Sequence, residues 1–528
     1  MDILLDIEIA IESFDLDGSN PLSSEKAISL CRDLGFRVWL YVGSLQTLEY
    51  RTCHELSHTE ETQGKCLSHH EVRNQARALI RSLSEKAHWL SALASEAELA
   101  PDLDLDAEQI QLLNAVKRIA RGEVVIITRS DRLLEYAPEL TLTPERYLEL
   151  NLQPRSQPFS DLATQQDKIR PGLEAAIHSV LHHGKFILGP EVALLEQQLS
   201  EYVGVAYCIT CANGTDALQI ALMALDIQPG DEVIIPAFSY IATAEAASLL
   251  GATPVFVDID PKTFNIDPTL LEQAITEKTR AVIPVSLFGQ CAQMSMINEV
   301  AKRHGVRVIE DAAQSFGATY RGRRSCSLSE IATTSFFPAK PLGCYGDGGA
   351  IFTNDERLAM KLRRIARHGQ TRRYYHEVIG VNSRMDTVQA AILIEKLKTF
   401  ENEIRLRENV ATYYSDLITE SELPPHLSPR IPTIGEECVS SWAQYTVRVR
   451  SRDSVFRALE FEGIPAAIYY PLPLNRQPAL LGSPTHTPKS DLAAKEVLSL
   501  PMHPWISQDR QRANIEALRQ ALLDSAAE

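Results

Sequence analysis

The sequence predicts an α/β protein with mostly parallel sheets, spread over more than one domain. Three observations carry this. Strand-like apolar runs alternate with segments of helical period almost throughout. Several of those runs end at a small-residue turn or an acid that opens a helical stretch, which is the edge where such folds place ligands. The chain has 528 residues, and at roughly 100–200 residues per domain that length predicts three domains, or one large enzyme with an added module.

Composition narrows the class. With 45% hydrophobic and 23% charged residues, collagen-like, low-complexity and wholly disordered readings are excluded. The formal charge of −17 repels phosphate backbones and argues against general nucleic-acid or anionic-membrane binding. Nine scattered cysteines do not form a secreted disulfide pattern. The opening MDILLDIEIAIE has acids within its apolar run and no basic start, unlike a signal peptide. No stretch of about eighteen apolar residues predicts a membrane span. The expectation is a soluble, reducing, cytoplasmic protein.

Residues 151–158, NLQPRSQP, are polar, aperiodic and carry two prolines, so they read as a linker. The predicted organisation is a domain at 1–150, a larger one at 159–400 and a smaller C-terminal α/β subdomain at 401–528. Residues 1–150 hold 15 Lys+Arg and 26 Asp+Glu, a charge of 15 − 26 = −11, which leaves −6 for the remainder.

In the first domain an apolar strand ends at Asp6. Helical text at 25–36 precedes a strand at 37–44. Helical text fills 70–99 and 106–121, and a strand at 123–136 ends near Asp131. Acids at strand ends are placed to share a divalent cation, which prefers hard oxygen ligands. The layout resembles PIN-like domains, a nuclease fold that uses Mg2+ or Mn2+. That resemblance assigns metal-binding acids to Asp6, Asp106 and Asp131, with Glu49 a looser match and Glu8 standing where Asn is common. The alternative is that these acids are helix caps and turn residues in a degenerate module.

In the second domain, a strand ends at Cys211 and the turn Ala212-Asn213-Gly214-Thr215 leads into helical text opened by Asp216. Free amides at a helix N-terminus make an anion site; the competing reading is a plain cap by Thr215 or Asp216. Residues 231–260 read strand, loop, helix, strand, with Tyr240 in the loop; its alternative is core packing. The strand at 306–309 ends in Glu310-Asp311, facing the ligand crevice or capping the next helix. Lys340 lies in the apolar Pro/Gly-rich stretch SFFPAKPLGCYGDGGA, residues 335–350, where burial lowers a lysine's pKa and frees the amine to form an imine. A phosphate turn, a strand-end carboxylate, an aromatic ring and such a lysine together fit pyridoxal 5'-phosphate. The pair Cys208 and Cys211 reads as buried small residues rather than a redox or metal site.

Residues 158–525 resemble the DegT/DnrJ/EryC1/StrS sugar aminotransferases, which have the fold-type I architecture. The resemblance rests on GKFILGPEV (184–192), ANGTDAL (212–218), EDAAQSFGA (310–318), SFFPAKPLGCYGDGGA and NSRMDTVQAA (382–391). It implies that Lys340 bonds the cofactor and moves the proton. It implies that Asp311 pairs with the pyridinium nitrogen, Gln314 bonds the phenolic oxygen and Tyr240 stacks on the ring. Thr215, the Asp216 backbone and Ser335 would hold the phosphate, joined by Asn382 from a second subunit, which implies a homodimer with shared active sites. Arg384 would meet an anionic substrate group.

Finer matches, SWAQYTVRVRSRD (441–453), YYPLPLNRQPAL (469–480) and VLSLPMHP (497–504), resemble enzymes that aminate UDP-2-acetamido-2-deoxy-3-oxo-D-glucuronate with L-glutamate for cell-surface polysaccharide precursors. Tyr469 stands at a candidate sugar-contacting position where many relatives carry His. The competing whole-chain reading is a metal-dependent nuclease or partner-binding module tethered to an aminotransferase of other keto-sugar specificity.

Overall fold

The computed structural model describes residues 158–480 and 485–527, together with the backbone of five strands nearer the N-terminus. The chain divides into two compact units, Met1–Arg155 and Ser156–Glu528.

The first unit holds β1 (Asp2–Leu5), β2 (Arg37–Val42), β3 (His88–Ser91), β4 (Val124–Ile127) and β5 (Thr141–Leu142). All pair in parallel, in the order β3-β2-β1-β4-β5. Strands fall where the apolar runs at the N-terminus, 37–44 and 123–136 place them. β3 corrects the sequence reading, because it lies inside the 70–99 stretch read as helical. Four residues are too few for a period to register, and His-Trp-Leu-Ser becomes a strand by pairing with β2 in the register Leu40↔Trp89. Asp6, Glu8, Glu49, Asp106 and Asp131, with linker residues 151–157, lie outside the described residues.

The second unit is built on a seven-stranded sheet. Its strands are β6 (Tyr207–Cys211), β7 (Glu232–Pro236), β8 (Thr253–Val257), β9 (Thr279–Val282), β10 (Arg307–Asp311), β13 (Ile331–Ser335) and β14 (Gly349–Thr353). The short β11 (Thr319–Tyr320) and β12 (Arg323–Arg324) form a separate hairpin between them. The order is β6-β14-β13-β10-β9-β7-β8, and only β14 runs antiparallel to its neighbours.

Helices cover both faces, which is why these strands are buried along most of their length. Alternation on β14 shows the division. Ile351 joins Leu218, Ala221, Leu222 and Leu362 from the helices Gly214–Ala224 and Glu356–Ile365. Ala350 and Phe352 join Leu195, Leu199 and Leu393 on the other face, from the helices Pro190–Val203 and Thr387–Glu420.

The last of these helices has 34 residues, a length of about 50 Å at 1.5 Å per residue. Its first half packs on the large sheet. Its second half, with Val410, Ala411, Tyr414 and Ile418, packs into another core beneath the antiparallel pair β18 (Tyr445–Arg448) and β19 (Val497–Leu500). The boundary expected after residue 400 therefore falls within one continuous helix. Among the described residues, no helix is long and apolar enough to cross a membrane.

Candidate active site

Strands β6, β7, β10 and β13 point the same way, so their carboxyl ends share one edge of the sheet. That edge gathers the turn after Cys211, the loop carrying Tyr240, Asp311 as the last residue of β10 and Ser335 as the last residue of β13. The topology thus joins residues 215, 240, 311 and 335, which are far apart in sequence.

The helix after β6 is capped by Asn213, rather than by Thr215 or Asp216. Asn213 Oδ1 accepts the Asp216 N–H at 2.8 Å, and its carbonyl accepts the Ala217 N–H at 3.1 Å. The Asp216 amide is therefore engaged within the chain. Gly214 and Thr215 provide the first-turn amides that remain open, facing the position an anion takes at a helix N-terminus. Two glycines let this turn sit against the sheet. A Cβ on Gly214 would lie 2.7 Å from Ser335 Cβ, and one on Gly349 would lie 2.4 Å from the Asn213 carbonyl oxygen. Close backbone approach thus brings the Gly214-Thr215 turn against Ser335.

Asp311 is buried at 5% exposure. One carboxylate oxygen accepts the Thr243 hydroxyl at 2.9 Å and the other accepts the Ala313 N–H at 3.1 Å. Burial pushes its pKa up, against those two donors and the positive charge of Lys340. Burial in turn pushes the Lys340 ammonium down, with Asp311 opposing. Each group is thus the charge partner of the other. Thr243, the second residue of the helix Ala242–Ser248, carries no distinguishing signal in the sequence, where it is one small residue in an alanine-rich run.

Glu310 faces the opposite side of the sheet, as strand alternation requires. It accepts Ser325 Oγ–H at 2.8 Å and the Cys326 and Leu328 amides at 3.1 and 3.3 Å. Burial raises its pKa to about 7. It is a structural carboxylate that braces the loop before β13.

Lys340 sits in a closed loop. The Cys344 N–H returns to the Phe336 carbonyl at 2.8 Å, and the Lys340 N–H donates to the Phe337 carbonyl at 2.9 Å. Gly343 approaches the Pro338 carbonyl so closely that a Cβ would lie 2.5 Å from it. Lys396, buried on the long helix, donates to the Gly343 carbonyl at 2.7 Å and rests over the Tyr345 ring at 4.2 Å. Gln389 grips Tyr345 through both backbone groups, so part of the NSRMDTVQAA motif is a support for the lysine loop. Behind the loop, Lys340 shares a small cavity with Gln165, Arg407 and His503. Among the described residues neither His503 ring nitrogen has a hydrogen-bond partner, and burial lowers its pKa to about 4.

Gln314 uses both ends of its amide. Oε1 accepts the Phe288 N–H at 2.9 Å and Nε2 donates to the Tyr470 hydroxyl at 2.9 Å, leaving one Nε2 hydrogen. Tyr240 is 57% exposed, with its ring 6.1 Å from that of Tyr470. Core packing, the competing reading for Tyr240, is thereby excluded. Tyr470 links the two predicted positions, and in sequence nothing distinguishes it from the adjacent Tyr469. Tyr469 is half-buried, edge-on to Phe159 and to Tyr470.

Asn382 is exposed and pairs by an antiparallel bridge with Arg367, while the Ser383 hydroxyl accepts the Ala212 N–H at 3.0 Å. Arg384 opens into a separate cavity that neither Lys340 nor Asp311 lines. Cys208 and Cys211 are buried free thiols whose pKa values are driven up by burial, as packing residues are.

Residues 167–519 match the DegT/DnrJ/EryC1/StrS aminotransferase family. The chain is 57% identical over 348 residues to the UDP-2-acetamido-2-deoxy-3-oxo-D-glucuronate aminotransferase of Pseudomonas aeruginosa, an alignment spanning 66% of this chain and 95% of that protein. A solved DegT DnrJ EryC1 StrS aminotransferase from Brucella abortus is 43% identical with a TM-score of 0.66, covering 69% of this chain and 98% of the other. NtdA from Bacillus subtilis, solved with bound cofactor PMP, is 31% identical with a TM-score of 0.64, covering 78% and 98%. The second unit has the α/β fold of these enzymes, and the chain belongs to the DegT/DnrJ/EryC1/StrS aminotransferase family.

Proposed function

We propose that the protein transfers the amino group of L-glutamate to a keto nucleotide-sugar, UDP-2-acetamido-2-deoxy-3-oxo-D-glucuronate, using pyridoxal 5'-phosphate. The observation that carries the chemistry is the buried Asp311 at a strand end, with the Lys340 charge acting on it, on the same sheet edge as the open helix-terminal amides. The identity to the Pseudomonas enzyme supports the sugar. The residues fit the cofactor, because the Gly214 and Gly349 contacts form a cradle that side chains would fill.

Bound pyridoxal phosphate supplies storage for an amino group and for the electron pair left when a proton departs the adjacent carbon. In this reading Lys340 Nζ would hold the cofactor at rest and, once released, would move that proton between the two carbons that flank the transferred nitrogen. Such general acid–base help is worth about 10²–10⁴-fold. Burial favours the neutral amine this needs. The Asp311 carboxylate would hold a positive charge on the ring nitrogen, and the Thr243 hydroxyl orients that carboxylate. Gly214, Thr215 and Ser335 would bind the phosphate, the remaining Gln314 hydrogen would be the donor for the phenolic oxygen, and Tyr240 would stack on the ring.

A homodimer with shared sites is part of this reading. Phe186, Ile187, Leu188, Tyr374, Tyr375 and Ile379 are large apolar or aromatic side chains left 41–87% exposed. Exposed apolar surface of that kind marks an interface. For the first unit, the nuclease reading is kept on one observation. β1 and β4 are parallel neighbours, and in sequence Asp6 follows β1 directly while Asp131 lies shortly past β4. A Mg2+- or Mn2+-dependent nuclease activity lost in Asp6→Ala supports it, and its absence with either metal rejects it.

The main test is glutamate-dependent amination over a panel of 3-keto and 4-keto nucleotide sugars. The 3-oxo-glucuronate substrate is expected to turn over fastest. Lys340→Ala is expected to abolish turnover and the yellow colour of the purified protein, and a variant that keeps either refutes the assignment.

A further inference from the structure

The lysine loop borders a small polar cavity of about 10 Å³, with Asp161, Gln165, Lys340, Arg407 and His503 among its walls. A single water needs roughly 10–15 Å³ of such space. Three of these side chains are almost wholly out of solvent: His503 is 4% exposed, and Gln165 and Arg407 are each 7% exposed. Among the described residues, each carries a buried polar atom with no partner. These atoms are Gln165 Oε1, Arg407 Nε and both ring nitrogens of His503. Buried polar groups are nearly always hydrogen-bonded, so four such atoms around one cavity point to an occupant they share.

The walls are fixed by their other contacts. Gln165, on the helix Leu162–His183, donates Nε2–H to Glu403 at 2.7 Å, which commits its amide nitrogen and leaves its oxygen as the open end. Arg407 Nη1 donates to the Trp442 carbonyl at 3.0 Å. The segment carrying His503 follows β19 and is pinned on both sides. The Tyr414 hydroxyl donates to the Pro501 carbonyl at 3.1 Å, and the Met502 N–H donates to the Phe159 carbonyl at 3.1 Å. Asp161 is engaged as a helix cap, accepting the Thr164 N–H and hydroxyl at 2.9 and 2.6 Å. Pro338 and Pro341, which flank Lys340 in the cavity wall, have no N–H to offer.

The unpartnered atoms define the occupant. The Gln165 oxygen only accepts and the Arg407 Nε–H only donates. Burial lowers the His503 pKa to about 4, with Asp161 opposing and Arg407 adding. At neutral pH such a ring presents one donor and one acceptor. An anion is refused by the Gln165 oxygen and a cation by Arg407. A water both donates and accepts, and it fits the volume. We propose that this cavity binds one ordered water shared by Gln165, Arg407 and His503, and that through it His503 is a positioning residue for the loop that presents Lys340. The inference rests on the reading of Lys340 as the residue that holds the cofactor.

The test is a crystal structure of the cofactor-loaded full chain at a resolution that shows ordered waters, with His503→Leu, His503→Asn and His503→Gln alongside. One solvent peak within hydrogen-bond distance of Gln165 Oε1, Arg407 Nε and a His503 ring nitrogen is expected in wild type and is expected to be lost in His503→Leu. That variant is expected to lose about fivefold in kcat, the scale of one hydrogen bond, with the KM for glutamate unchanged. Drying a cavity that Lys340 lines disfavours charge on its nitrogen, so the pH midpoint of the cofactor's absorbance change is expected to fall by about half a unit. His503→Asn and His503→Gln set an amide near the places of Nδ1 and Nε2, and the one that meets the water is expected to restore both values. A dry cavity in wild type overturns the proposal whether or not the variants fold, and so does folded His503→Leu with wild-type kcat and midpoint. A lowered midpoint rescued by an amide, in a protein that aminates none of the keto sugars, sustains the role of His503 and rejects the substrate reading instead.

Discussion

Asp311 works as a buried charge because three neighbours favour its ionised form against desolvation: Thr243, the Ala313 amide and Lys340. Thr243→Val deletes the 2.9 Å hydrogen bond and leaves an isosteric methyl. Hydrogen bonds to charged groups are worth about 1.5–3 kcal/mol, so kcat is expected to fall by about tenfold or more. The sign of the pH effect follows from the same loss. With one donor fewer, the carboxyl holds its proton to higher pH, so the acidic limb of the kcat profile moves upward. A variant with the wild-type profile would mean that Thr243 only packs. Residue 310 illustrates the limit of sequence at this scale. Two adjacent acids end the same strand, and their types do not distinguish them. Asp311 was selected by resemblance to a family, and it is the sheet's two faces that give one carboxylate a lysine and the other a brace of serine and backbone donors.

The phosphate turn and the lysine loop depend on backbone contacts that local period does not encode. Helix periodicity located the helix after Cys211 but placed its opening at Asp216, two residues late, because the cap is an asparagine on the far side of the glycine. Gly349, in the GDGG run, matters through an element 136 residues earlier. Gly349→Ala drives a methyl toward the Asn213 carbonyl, where the present Cβ position is 2.4 Å from oxygen. The turn must shift, and cofactor affinity is expected to drop about tenfold or more with the fold retained. Dialysis against cofactor-free buffer, followed by absorbance, measures it; retention equal to wild type would separate the turn from phosphate binding.

For the molecule as a whole, the buried Glu310 ties stability to pH. Its pKa is near 4.5 when exposed and about 7 in the folded chain. The folded state therefore binds more protons across that window, and stability falls as pH rises from about 4.5 to about 7. At about 1.4 kcal/mol per unit the contribution is roughly 3 kcal/mol. Glu310→Gln keeps a carbonyl for the Cys326 and Leu328 amides and an amide for Ser325 while removing the titration. The difference in unfolding free energy between wild type and variant is expected to shrink or invert by that amount between the two pH values, read by denaturant unfolding. Parallel curves would show that the carboxyl does not titrate in the window.

The alternation of apolar strands with helical text determined the α/β class, and the order of turn, acid and lysine determined the cofactor chemistry, because each is a local pattern with its own physical cause. Partners separated by about fifty residues or more were decided only by tertiary structure. Strand order brought Asn213 to Gly349, the fold set Lys396 beneath the lysine loop and Tyr470 beside Tyr240, and long-range pairing made a strand of 88–91 within helical text.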